Sequence, residues 1–306
     1  MKNKIGTILL ICSMWGSVVW GQSCRFPFQN PQLNEEARLD NLISLLTLDE
    51  KIALFGGAGV PRLGIRGAGS SEALHGIVQG GPAWNPNQSK QITTSFPQAY
   101  GLGATWDVEL IQQVADYIAY EGRYLYQSPK YQRAGLILWS PNADLGRDIR
   151  WGRTEECYGE DPVLTAALTV AFVKGLQGSH PKYWKSASLM KHFLANSHES
   201  GRVETSSDFD ETLFREYYSY PFWKGIEQGG ANALMTAYNA YNGIPCTISP
   251  VLRKVLQKEW GFDGMIITDG GAFQQLKNTH KVFERLEDAA QACIKAGTTR
   301  FLDDYK

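Results

Sequence analysis

The sequence predicts an α/β protein in which parallel strands alternate with helices, arranged as a (β/α)8 TIM-like barrel. Short apolar runs such as 135–139 and 264–268 have the composition of buried strands, and amphipathic stretches lie between them. Strands that alternate with helices imply parallel pairing through right-handed crossovers. A chain of 306 residues without a GxGxxG turn fits a barrel better than a doubly wound sheet.

Residues 1–23 have the layout of a secretory signal peptide. Lys2 and Lys4 precede an uncharged apolar run from Ile5 to Trp20. A permanent membrane span is the alternative, but the run is short for a bilayer and no stop-transfer flank follows it. We therefore expect export to the periplasm or the extracellular space without a stable membrane span. Lipid attachment at Cys24 is the weaker alternative, because residues 21–24 form a poor lipobox.

The remaining chain, residues 24–306, is predicted to be one barrel domain. The expected strands are the apolar runs 135–139, 187–193, 232–238, 264–268 and 298–302. Residues typical of helix ends lie between and before these runs. Asp161 and Pro162 are a typical N-cap and first helical residue, and Gly178 follows the end of that helix. Further helices are expected from about Leu39 to Phe55, interrupted near Thr47, and after Ser249-Pro250.

Charge and cysteine content exclude several classes of function. The chain has 30 basic and 31 acidic residues, so nothing indicates a nucleic-acid partner. The cysteines after the signal peptide have neither CxxC spacing nor a nearby histidine pair, so no zinc site is predicted. No metal and no other cofactor is expected. Disulfides and free buried thiols both remain open.

Polar residues follow four of the predicted strands. Residues 140–144 follow the first run, Lys191-His192 end the second, Tyr238 ends the third and Asp269 follows the fourth. Because the carboxyl ends of barrel strands meet on one face, where barrel active sites lie, these side chains indicate an enzyme. A buried Asp269 held by Arg and Lys could attack an electrophilic carbon. The structural alternatives are an N-cap for Asp269 and a packed, hydrogen-bonded core histidine for His192.

Six segments resemble one family, in order from about residue 40 to 303. They are EALHG (72–76), TSFPQAYGLGATWD (94–107), GRDIRWGRTEECYGEDP (146–162), KHFLAN (191–196), MTAYNAYNGIPC (235–246) and EWGFDGMIITDGGAF (259–273). Together they resemble glycoside hydrolase family 3, which contains β-glucosidases and β-xylosidases. The resemblance implies a retaining mechanism with an aspartate nucleophile and a second carboxylic acid as acid/base.

The resemblance also assigns residues. Asp269 matches the nucleophile, and the matching sugar-binding positions are Glu72, Arg153, Lys191, His192, Arg202, Met235 and Tyr238. Gly270 departs from the tryptophan usual after the nucleophile, which changes the wall of the site. The segment after Lys191-His192 lacks the pattern of the family's N-acetylglucosaminidases. Glu72 stands where many glucosidases have Asp and many xylosidases have Glu.

The acid/base is expected outside this chain. In most of the family it is a glutamate of a following α/β sandwich domain, and the chain stops before the last barrel helix and that domain. If an acid/base did lie within the chain, Glu204, Glu199 and His198 would be the first candidates.

The expected substrate is an oligosaccharide with a terminal β-glucosyl residue, β-xylosyl being close behind. The alternatives are a non-catalytic sugar-binding barrel, an inactive fragment and, more remotely, a metal-dependent hydrolase.

Overall fold

The computed structural model describes residues 24–67, 69–78, 93–131, 135–181 and 183–302. The predicted signal peptide, residues 1–23, lies outside this range. The chain divides into two compact units, Met1–Leu48 and Asp49–Lys306. In the described part of the first unit, the Asn34 side chain caps a helix by accepting a 2.8 Å hydrogen bond from the Ala37 N–H. None of the helices described is long and apolar enough to cross a bilayer.

The second unit is an α/β fold built on a parallel sheet. The strands of the chain, in order, are β1 Ser70–Glu72, β2 Ile137–Trp139, β3 Ala187–Phe193, β4 Ser206–Ser207, β5 Ala233–Thr236, β6 Ala240–Tyr241, β7 Ile244–Pro245 and β8 Met265–Thr268. Five of them form one sheet in the order β1-β2-β3-β5-β8, and every neighbouring pair is parallel. This is the order of the chain, as a barrel wall requires. A small three-stranded sheet, β4-β6-β7, lies apart from it.

Helices precede, separate and follow the strands of the parallel sheet. They are α1 Glu35–Leu45, α2 Leu48–Phe55, α3 Ala99–Gly103, α4 Val108–Gln127, α5 Pro162–Gln177, α6 Glu211–Leu213, α7 Tyr220–Glu227, α8 Ala272–Asn278 and α9 Leu286–Ala296. Two π-helical segments, Phe214–Tyr218 and Leu252–Glu259, accompany them. The predicted cap of α5 is confirmed, since Asp161 accepts a 2.7 Å hydrogen bond from the Leu164 N–H.

The strands β2, β3, β5 and β8 are largely apolar because both of their faces are covered. In β8, Ile266 belongs to a core cluster that includes Phe222 and Leu252, whereas the next residue, Ile267, belongs to a second cluster on the other face. The same alternation places Met190 in the first cluster and Leu189 in the second. Successive strand side chains point to opposite faces, so two buried faces produce the continuous apolar run seen in the sequence.

Two details differ from the sequence-based expectation. The first strand, β1, consists of polar residues and has no apolar run; it is a strand because it pairs with β2. The run 298–302 is reduced to a single parallel bridge between Arg300 and Ile267. The chain leaves the sheet there because the Phe301 N–H donates to the Phe55 carbonyl at 2.8 Å. The described residues thus contain five parallel strands of the sheet and this bridge.

Close contact between α4 and α5 depends on Gly175. A Cβ at this position would lie 2.6 Å from the Ala115 Cβ and would also meet the Gln112 carbonyl. We expect Gly175→Val to lower the free energy of unfolding by about 1–3 kcal/mol, because the added methyl groups overpack the helix contact. Ala167→Val, on the exposed face of α5, is the matched control and should cost only about 0.5 kcal/mol. Equal effects in denaturant titrations of the two variants would contradict this account of the contact.

Candidate active site

The predicted site residues lie at the carboxyl ends of the parallel strands. Glu72 ends β1, Lys191 and His192 lie near the end of β3, and Asp269 directly follows β8. Tyr238 lies two residues beyond β5. Arg153 and Arg202 belong to the segments that follow β2 and β3. In a parallel α/β fold these ends share one edge, which explains how residues far apart in sequence come into contact.

The Lys191 ammonium is paired with the Glu72 carboxylate. Lys191 Nζ lies 2.8 Å from Glu72 Oε2 and 3.0 Å from Oε1, and the lysine side chain is only 3% exposed. A buried ammonium needs such a partner, because an uncompensated charge in a low-dielectric interior costs several kcal/mol. Glu72 remains 38% exposed. Its carboxylate is therefore also accessible to a ligand.

The His192 imidazole is held between the Asp144 carboxyl group and the Arg153 guanidinium. Its Nδ1 lies 2.9 Å from Asp144 Oδ2, and its Nε2 lies 3.1 Å from Arg153 Nη2. Burial, with the nearby charges of Arg153, Lys191 and Arg202, lowers the pKa of His192 well below its ordinary value. The imidazole is therefore neutral.

Arg153 is fixed by a bidentate pair with Glu156. Arg153 Nε and Nη2 each donate to a Glu156 carboxylate oxygen at 2.8 Å. Burial opposes the arginine charge, but the hydrogen bonds to Glu156 outweigh it and raise the pKa of Arg153. Asn142 Nδ2 also donates to Glu156 at 3.3 Å. The guanidinium thus has one defined orientation towards His192 and Asp269.

Asp269 is a buried carboxylate next to these cations. Its side chain is 14% exposed, its Oδ1 accepts a 2.7 Å hydrogen bond from the Gly270 N–H, and its Oδ2 lies 3.8 Å from His192 Nε2. Burial raises the pKa of Asp269, whereas the Gly270 N–H and the charges of Lys191 and Arg153 act in the opposite direction. The alternative role as a helix cap is not observed, because the N-cap of α8 is Gly271.

Tyr238 and Arg202 form the neighbouring wall. The Tyr238 hydroxyl donates to the Gly270 carbonyl at 2.7 Å, and the Arg202 guanidinium lies 4.5 Å from the centre of the Tyr238 ring. Burial and the charge of Asp269 raise the pKa of Tyr238. Arg202 also pairs with Glu199 at 2.8 Å. Met235 differs from the polar residues: it is 2% exposed and belongs to the apolar cluster of Ile267.

Sequence reasoning missed three polar residues of this network, namely Asn142, Asp144 and Glu156. In the sequence, Asp144 is indicated only as part of the polar stretch 140–144 after a strand, and Glu156 only as one residue of the motif 146–162. Their roles follow from contacts such as the one between Asp144 and His192, which are 48 positions apart. In the part of the chain that the structure describes, no group of three His, Cys, Asp or Glu side chains could hold a metal ion.

The arrangement matches a known family. The model of the "Glycosyl hydrolase family 3 N terminal domain" matches residues 61–303. The chain belongs to glycosyl hydrolase family 3. This confirms the resemblance carried by the six sequence motifs.

Relatives in sequence are named as xylosidases and glucosidases. The chain is 32% identical over 312 residues to a xylan 1,4-β-xylosidase of Xylanibacter ruminicola. The alignment covers 97% of this chain and 35% of that protein. It is 36% identical over 238 residues to a β-glucosidase of Rhizobium radiobacter, covering 76% of this chain and 27% of that protein. The chain thus spans 35% or less of the length of these two relatives.

Solved structures of the family have the same fold. A GH3 exo-β-xylosidase in complex with a xylobiose aziridine activity-based probe superposes with a TM-score of 0.82 at 27% identity, over 90% of this chain and 37% of that chain. A β-glucosidase of Listeria innocua in complex with isofagomine gives a TM-score of 0.72 at 27% identity, over 88% of this chain and 41% of that chain. The predicted TIM-barrel-like class is confirmed by these matches.

The burial of Asp144 predicts how the free energy of unfolding changes with pH. Burial raises the pKa of Asp144 to about 8, whereas an unfolded Asp titrates near about 3.9. The folded state therefore binds this proton more tightly, so the stabilisation is fully present below about pH 4 and is lost as the pH rises towards about 8. Asp144→Asn lacks this loss. The difference in unfolding free energy, wild type minus variant, should fall across that range in denaturant titrations.

Asp148→Asn is the control. Its partner Arg150 lowers the pKa of Asp148, so that carboxylate stabilises the fold above about pH 4 and loses its effect as the pH falls. A wild-type-minus-Asp144→Asn difference that rises with pH would contradict the assignment.

Proposed function

We propose that the protein is a retaining exo-β-glycosidase that removes terminal β-xylosyl or β-glucosyl residues from oligosaccharides. The observation that carries this is the buried Asp269 carboxylate at a strand end, facing His192 and under the influence of Lys191 and Arg153. Family membership supports the reaction class. The names of the relatives favour β-xylosides, so the order of preference reverses the one expected from sequence alone.

Asp269 acts as the nucleophile in this proposal. Its Oδ2 attacks the anomeric carbon, the glycosidic bond breaks, and a covalent glycosyl-enzyme forms that water then hydrolyses. The carboxylate must be ionised to attack, and burial acts against ionisation. The Gly270 N–H and the cations Lys191 and Arg153 offset part of that cost, which supports this residue over an ordinary surface acid.

The polar residues around Asp269 bind the sugar. Glu72, Lys191, Arg153 and His192 present acceptors and donors close together, as the hydroxyl groups of a pyranose require. Arg202 and Tyr238 form one wall of the same site. Because Glu72 is one methylene longer than Asp, it narrows the space near the outer hydroxyl groups and favours a pentose.

The acid/base is supplied from outside the described residues. Of the three candidates within the chain, Glu199 is paired with Arg202, and His198 and Glu199 border a cavity of about 660 Å³ that is also lined by Arg150 and Trp151. Glu204 lies in the same loop. No carboxylic acid opposite Asp269 is apparent among the contacts of the described site. This supports an acid/base from a part of the whole protein beyond the residues described.

Export belongs to the same proposal. The signal-peptide pattern of residues 1–23 remains its basis, and Cys24, which follows it, is exposed. An exported glycosidase meets oligosaccharides outside the cytoplasm. Processing at residues 21–24 can be read from the N-terminus of the secreted protein.

Replacing Asp269 should abolish turnover. Asp269→Asn keeps the shape of the side chain but cannot form the glycosyl-enzyme, so kcat on an aryl β-xyloside should fall on the order of 10³-fold or more. In Asp269→Ala, added azide should restore release of the aryl group and give the α-glycosyl azide, because azide attacks from the face that Asp269 occupied. Recovery of the β-azide would be incompatible with a nucleophile at this position. Undiminished sugar binding by a wild-type protein without turnover would indicate a binding protein.

Glu72 should influence the choice between pentose and hexose. Shortening it in Glu72→Asp enlarges the site, so the kcat/KM ratio of aryl β-glucoside to aryl β-xyloside should rise by about tenfold. The ratio provides an internal control, because loss of folded protein lowers both values equally. An unchanged ratio would mean that other residues exclude the hydroxymethyl group.

A further inference from the structure

The hydrogen bonds of His192 have fixed directions. Arg153 Nη2 lies 3.1 Å from His192 Nε2, and a guanidinium has only donors. Nε2 must therefore be the acceptor of this bond and carry no proton. In a neutral imidazole the proton is then on Nδ1, which donates to Asp144 Oδ2 at 2.9 Å.

Asp144 also fixes the backbone of the histidine. The same Oδ2 accepts the His192 backbone N–H at 3.0 Å, and the Asp144 side chain is only 1% exposed. Oδ2 serves as an acceptor whether the carboxyl is ionised or protonated at its other oxygen. One oxygen thus defines the ring tautomer and the position of the residue together.

The tautomer determines what Asp269 faces. Asp269 Oδ2 lies 3.8 Å from His192 Nε2, which carries no proton and accepts from Arg153. With the other tautomer, Nε2 cannot accept from Arg153, and its N–H becomes a donor to this oxygen once the two atoms approach from 3.8 Å to hydrogen-bond distance. Such a bond stabilises the ionised carboxylate and makes it a weaker nucleophile.

We propose that Asp144 is a positioning residue that holds His192 in the Nδ1–H tautomer, so that the Asp269 oxygen facing His192 stays free of a histidine donor. The role rests on the proposed function, in which Asp269 is the nucleophile. The other groups that act on the Asp269 charge are Lys191, Arg153, Tyr238 and the Gly270 N–H. Among the described contacts, Asp144 makes no hydrogen bond to any of these groups and acts on Arg153 through its charge, whereas it is hydrogen-bonded directly to His192.

The first test determines the tautomer of His192 in the wild-type protein. Long-range ¹H–¹⁵N correlation spectra of protein labelled with ¹⁵N-histidine distinguish protonated from unprotonated ring nitrogens, and His192→Gln assigns the signal. We expect His192 to be neutral with a protonated Nδ1 and an unprotonated Nε2. An Nε2–H tautomer or an imidazolium near neutral pH would overturn the proposal. This result does not depend on whether Asp269 is the nucleophile.

The second test compares two substitutions of Asp144. Asp144→Asn keeps an acceptor oxygen of the same reach and should retain the tautomer and most of the activity. Asp144→Ala removes it, so a population with Nε2–H should appear. Its kcat/KM should fall about 10- to 100-fold, and the acid limb of its pH profile should move down by about one to two pH units, since the new donor favours ionised Asp269. Asp116→Asn, on α4, is the matched control.

The combined outcomes separate the two claims. A lower rate in Asp144→Ala without a change of tautomer or acid limb would mean that Asp144 is merely structural. A changed tautomer with an unmoved acid limb would overturn the link to Asp269. If Asp144→Ala does not fold, Asp144→Asn and the wild-type spectrum still decide the tautomer. Unimpaired turnover by Asp269→Asn would reject the proposed function while leaving the tautomer result intact.

Discussion

The site depends on the burial of charge at the end of β3. Lys191 and His192 lie within a strand that is otherwise apolar except for Ser188, and each is at most 3% exposed. A low-dielectric environment accepts such groups only when each has a defined partner. Glu72 meets this need for the ammonium, and Asp144 and Arg153 meet it for the imidazole. Glu72 lies in β1, and Asp144 and Arg153 lie in the segment after β2. Pairing the buried polar groups of β3 therefore also brings the carboxyl ends of β1, β2 and β3 together.

Asp269 is the partial exception to this pairing. It has close cations but no bidentate partner among the described contacts, and Arg153 is committed to Glu156 instead. A carboxylate fully paired with an arginine would be stable and unreactive. In Asp269, the charges of Lys191 and Arg153 act on the carboxylate without a bidentate pair and favour its ionised form, against the burial that raises its pKa. Because Arg153 is hydrogen-bonded to Glu156, its effect on the Asp269 carboxylate is that of a nearby positive charge.

The fold was largely readable from the sequence, and the network within the site was not. The runs that became β2, β3, β5 and β8 were visible because both faces of these strands are buried, and the Asp161 cap was visible because it is local. Ser70–Glu72 became a strand through pairing with β2, which no local pattern encodes. Lys191 and Asp269 are identified by strand-end position and motif, and Glu72 by motif alone. Asp144 required knowledge of a partner in a different strand.

The Glu72–Lys191 pair has a consequence for how the protein folds. The two residues are 119 positions apart, and bringing them together requires the intervening chain, with α4, α5 and β2, to be compact first. Closing a loop of this size has an entropic cost that is recovered only when the enclosed elements pack. An ammonium desolvated before its carboxylate arrives would oppose that packing. We therefore infer that this pair forms late and that the pocket matures in a cooperative final step of folding.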